Sequence, residues 1–146
     1  MPAITMRILL GFAAGALSVL VFHQGVVELL HLAGSGSRAW SMQPVRPLGI
    51  PRIVDLCFWG GLYGAAFGAL LPRFRLPVWV CGLLLGCVAV LVAWFVVAPI
   101  KGAPVATGFV PVAMGRSLLI NGTWGLGVGL ILPLLLPRAM LRARAS

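Results

Sequence analysis

Glu28 and Asp55 are the only acidic residues in this chain of 146, and His23 and His31 are its only histidines. Gln24, Glu28 and His31 stand at i, i+4 and i+7, so on a helix they share one face. His23 is turned from that stripe by about 100°. Arg52 stands three residues before Asp55, and Arg116 and Asn121 stand at the equivalent end of the last apolar run. Three kinds of chemistry fit such a set. Glu28 with Arg116 or Arg52, and Asp55 with the other, can form ion pairs that fix how helices dock. The same carboxylates and imidazoles can carry a proton or cation. His31, Glu28 and Asp55 can ligate a metal, although Glu28 and His31 carry no accompanying ligand signature. Ion pairing is the expected use. Two histidines eight residues apart on one helix cannot take opposite axial positions on a haem within one chain. No metal or cofactor is assigned.

Other catalytic constellations are missing. There is no GxSxG elbow, HExxH helix, phosphate-binding glycine loop or CxxC pair. Ser18 and Ser117 lack histidine–acid partners at matching depth. Cys57, Cys81 and Cys87 fall inside apolar runs without zinc spacing and are expected to pack as small apolar residues. Asn121-Gly122-Thr123 matches a glycosylation sequon but lies inside an apolar run, where it is expected to be buried. No catalytic residue is identified, and the chain reads as a non-enzyme.

The segments that must position these groups are overwhelmingly apolar. The chain is 61% hydrophobic and 9% charged, with a mean hydropathy of +1.10. That is too little polar surface for a water-soluble globule. Four windows, 8–31, 53–71, 77–97 and 117–136, are long enough to cross ~30 Å of hydrocarbon. The expected fold is all-α, a single integral membrane domain over residues 1–146 with four transmembrane helices and the lipid bilayer as partner. The first window is longer than a signal-peptide core and carries Glu28 late, so it is expected to be retained. Net charge is +9, but the basic residues sit at window ends, so nucleic acid is not an expected partner. Arg7, Arg73, Arg75, Arg138, Arg142 and Arg144 flank one side; Arg38, Arg46, Arg52, Lys101 and Arg116 flank the other. This bias places both termini inside.

The windows also repeat. Trp59-Gly60-x-x-x-Gly64 with Leu70-Leu71-Pro72-Arg73 returns as Trp124-Gly125-x-x-x-Gly129 with Leu135-Leu136-Pro137-Arg138. Gly11-x-x-x-Gly15 returns as Gly82-x-x-x-Gly86. Two tandem, parallel two-helix repeats are expected, about 8–73 and about 77–138. Gly60, Gly64 and Gly68 form a ridge, and Gly122, Gly125 and Gly129 a related one. Such glycines let helix backbones approach closely, with a narrow pore or a self-association face as the sharper uses. Trp59 and Trp124 read as matched wedges, while Trp40, Trp79 and Trp94 suit interfacial anchoring. The outer loops, 33–51 and 98–116, are proline-rich and unusually apolar, and should lie over the polar cluster. The short turn 72–77 makes the second and third spans antiparallel neighbours.

The stretches Val21-Phe22-His23-Gln24, Phe58-Trp59-Gly60-Gly61-Leu62-Tyr63-Gly64 and Ser117-Leu118-Leu119-Ile120-Asn121-Gly122-Thr123-Trp124-Gly125 resemble those of small bacterial inner-membrane proteins to which no activity is attached. The resemblance implies a bacterial inner membrane and transfers no chemistry. In size and helix count the chain is also similar to the small fluoride channels. It lacks their phenylalanine pattern and carries its duplication within one chain, so it is not assigned to them. The expected role is an accessory or assembly partner in a larger membrane complex, or a homo-oligomer. The alternative is a channel or transporter for a proton, ion or small solute, using Glu28, Asp55, His23 and His31 with Arg52 and Arg116 setting the field.

Overall fold

A computed structural model describes residues 2–140. They are mostly helical, with four helices long and apolar enough to cross a membrane: α1 (Ala3–Leu32), α2 (Arg52–Arg73), α3 (Val78–Ile100) and α4 (Pro111–Leu135). A proline opens each one. Pro2, Pro51 and Pro77 precede α1, α2 and α3, and Pro111 is the first residue of α4. A missing N–H loses nothing in a first turn, where no carbonyl is available to it, and the fixed φ suits the helix. The prolines explain why α4 begins at residue 111 rather than 117: Arg116 lies inside the helix, not ahead of it.

α2 ends in a 3-10 turn over Leu71–Arg73, and two helices depart from α geometry in their interiors. Val19–His23 in α1 and Ala93–Val97 in α3 form π turns, each inserting an extra residue and shifting the faces beyond it. The chain between α3 and α4 makes a left-handed turn, with Ala106, Thr107 and Phe109 at φ 47°, 55° and 57°. Ala106 holds the turn in place, fully buried beside Val90 and Trp94. Trp94 is therefore a core residue and not an interfacial anchor. In the first loop, Pro44–Val45 and Ile50–Pro51 pair as a two-residue antiparallel ribbon.

α1 packs along α2, and α3 along α4, with glycine against glycine. A Cβ on Gly11 would fall on the carbonyl oxygen of Gly64, and one on Gly15 on that of Gly60. Gly68 faces the Arg7 carbonyl in the same way. In the other pair Gly82 meets Gly125, Gly86 meets the Asn121 carbonyl, and Gly129 meets Val78. Gly122 departs from the expected ridge, because a Cβ there would touch nothing. The two pairs join through α1 and α4. Ser18 Oγ donates to the Trp124 carbonyl at 2.6 Å, and Trp124 Nε1 donates to the Gly15 carbonyl at 3.1 Å.

α2 and α3 touch little, although a short turn links them. They diverge from that turn, leaving a seam over α1 and α4. Phe67, Leu71, Val128, Leu132 and Leu136 are at most 5% exposed and fill the bundle at the turn end. The polar residues collect at the other end, under the two loops.

Candidate functional site

The Gln24–Glu28–His31 stripe holds the first loop. Backbone N–H of Trp40 donates to Gln24 Oε1 at 2.7 Å, and that of Ala39 to Glu28 Oε2 at 3.0 Å. His31 Nδ1 meets the Gly36 carbonyl at 3.1 Å and therefore carries the proton of that bond. The Trp40 indole donates to the Leu20 carbonyl at 3.1 Å, within the α1 π turn. Three helical side chains at i, i+4 and i+7 thus bind consecutive parts of a strap running back along α1.

The same bonds orient His23. Because Gln24 Oε1 must accept from Trp40, Gln24 Nε2 is the end that faces His23 Nδ1, at 3.0 Å. Nδ1 accepts, so the neutral ring carries its proton on Nε2. Gln24 is 3% exposed and has both ends of its amide satisfied, which removes the penalty of burying it.

Beneath the strap lies a polar chamber of about 250 Å³. Arg52 and Arg116 enter it from α2 and α4, with His23, Asn121, Ser37 and Ser41 among its lining, and no carboxylate faces it. Arg116 Nη2 donates to Ser35 Oγ, which ties α4 to the strap. The only ion pair among the described residues is Arg38–Glu28 at 3.8 Å, with Arg38 largely in solvent. The expected pairing of Glu28 and Asp55 with Arg52 and Arg116 does not form. The Ala39 backbone amide and Arg38 take Glu28, and the Trp59 indole donates to Asp55 Oδ1 at 3.1 Å, one helical turn away.

A second cavity, about 390 Å³, occupies the seam between α2 and α3. Trp59 and Tyr63 form one wall, Ala93 and Val97 the other, with Trp124 in the floor and Lys101 at the loop end. Residues of both π turns line it: Val19 and His23 from α1, Ala93 and Val97 from α3. Its lining is mainly apolar, and Asp55 is its one carboxylate. Groove and chamber share His23, Leu56 and Asn121, so they meet along one edge.

The predicted polar residues therefore divide by task. Gln24, Glu28 and His31 bind the strap, Arg52 and Arg116 face the chamber, Asp55 faces the groove, and His23 and Asn121 stand between the two. Among the described residues, no three His, Cys, Asp or Glu side chains come together as a metal-binding group. Ser35, Ser37, Ser41 and Tyr63 were not legible as site residues, because serines in a Gly/Ser loop and a lone tyrosine in an apolar run carry no spacing signal. No protein-family model, curated protein or solved structure matches this chain.

Proposed function

We propose that this chain is a non-enzymatic integral membrane protein of a bacterial inner membrane. It is built from two tandem helical pairs with both termini inside, and it acts as a binding and assembly component. Insertion is supported by side chains that water would reject. Leu84, Leu91 and Phe95 on α3 and Leu9 on α1 are each more than half exposed, and Leu134 is 84% exposed. The duplication is supported by glycine contacts that join α1 to α2 and α3 to α4 in the same manner, with the second pair shifted by one helical turn: Gly11 meets Gly64, whereas its counterpart Gly82 meets Gly125.

One observation carries the functional reading: both cavities lie toward the loop end, above a turn end closed by Phe67, Leu71, Val128, Leu132 and Leu136. A conducting path needs polar lining or water across the whole bilayer. This arrangement supports a compartment open to one side instead. Reconstituted in liposomes under a pH or potassium gradient, the chain is expected to dissipate neither. A flux lost in Asp55→Asn or His23→Gln would overturn the reading in favour of a channel. For assembly, native mass spectrometry from mild detergent is expected to give multiples of 15.4 kDa or a fixed ratio with a companion chain. Monomer alone would remove that part of the proposal.

A further inference from the structure

Three arginines line one cavity: Glu28 answers Arg38 at 3.8 Å, but among the described residues neither Arg52 nor Arg116 has a carboxylate partner. At the level where membrane helices begin, guanidinium groups are costly unless something answers their charge. The chamber supplies serine hydroxyls and Asn121 beside them, but no anion of its own. The chain's second carboxylate, Asp55, lines the groove instead. Lys101 offsets Asp55 in the groove, so a ligand with one anionic end would be drawn first to the chamber, where the arginines stand without a carboxylate. The groove has the opposite character. Its walls run from Asp55 to Tyr63 on α2 and from Ala89 to Val97 on α3, about 12 Å of helix at 1.5 Å per residue.

We infer that chamber and groove form one site for an anionic phospholipid, its phosphate held by Arg52 and Arg116 and an acyl chain lying between α2 and α3. Guanidinium groups match phosphate oxygens in geometry as well as charge, and basic pockets between membrane helices hold anionic head groups. The shared edge at His23, Leu56 and Asn121 is where head and chain would join. Trp59, 54% exposed, would cover the chain from the groove's rim. The inference rests on the membrane reading above.

The test is native mass spectrometry of the full chain in detergent micelles holding equal amounts of phosphatidylglycerol and phosphatidylcholine. Wild type is expected to retain phosphatidylglycerol over phosphatidylcholine by about tenfold. Arg52→Gln with Arg116→Gln is expected to bring the two lipids to parity, while Arg52→Lys with Arg116→Lys keeps most of the preference. Ala93→Phe, which fills the groove, is expected to release the lipid, and Leu84→Phe on the exposed face of α3 is expected to retain it. A preference that survives the double glutamine variant overturns the inference. So does displacement of the lipid by millimolar inorganic phosphate, which would mark a small-anion site. If the glutamine variant fails to fold, the phosphate competition and Ala93→Phe still decide. Recovery of the wild-type chain in the soluble fraction would instead sink the membrane reading, whereas a membrane-extracted chain without lipid preference sinks only this inference.

Discussion

Trp59 and Trp124 hold the same place in sequence, each leading a Gly-x-x-x-Gly, yet one is 54% exposed and the other 3%. They are not matched wedges. α4 sits at the centre of the bundle, so Trp124 meets α1 through the Gly15 carbonyl and lies edge-on to Tyr63 at 6.1 Å. α2 lies outside, and Trp59 bonds only within its own helix. Trp124→Phe is therefore expected to lower stability by about 1–3 kcal/mol, and Trp59→Phe by less than about 1 kcal/mol. Thermal unfolding in dodecyl maltoside compares them, and equal losses would contradict the central position of α4. A repeat in sequence specifies a local contact but not which copy ends up buried. The same limit applies to the polar stripe. That Gln24, Glu28 and His31 share a face follows from spacing alone. What they bind depends on a loop whose path requires Gly34 and Gly36 at φ 79° and 96°, and no spacing rule reports that path.

Among the elements, the four spans were legible to within a few residues at most ends, because long apolar windows leave little choice of structure. The π turns were not. Val19–His23 and Ala93–Val97 contain neither glycine nor proline, so nothing local marks the place where each helix gains a residue. The glycine seams were legible as a pattern, but their membership is decided by contact. Gly125→Ala would set a methyl on the Gly82 carbonyl and is expected to cost about 1–3 kcal/mol. Gly122→Ala, facing open space, is expected to be neutral or stabilising by up to about 1 kcal/mol. The same detergent unfolding separates them, and a large loss at Gly122 would mean that another chain packs there. The strap is an element too, held by few bonds. Glu28→Ala removes the acceptor for Ala39 and the partner of Arg38. Trypsin cleavage after Arg38 is then expected to quicken several-fold with the helices intact, and an unchanged rate would show that Gln24 and His31 suffice.

For the whole molecule, the separation of a closed turn end from a hollow loop end gives orientation its functional weight. On the proposed membrane reading, the direction of insertion would decide which leaflet the chamber serves. Charge counting puts the turn 72–77 inside by a margin of one basic residue, and Arg142 and Arg144, which contribute to that margin, lie outside the described residues. An independent readout is therefore decisive. In a chain with Cys57, Cys81 and Cys87 replaced by alanine, Ser37→Cys would mark the strap over the chamber and Arg75→Cys the turn. A membrane-impermeant maleimide added to intact spheroplasts is expected to label the first and spare the second. The reverse pattern would turn the bundle over. The two arginines would then face the cytoplasmic leaflet, and a juxtamembrane basic pocket there would draw on anionic lipids at the surface where their potential is strongest. Labelling of both sites would show that the four helices do not cross the bilayer as one bundle. It would remove the physical reason for reading the exposed faces of α1 and α3 as lipid-facing.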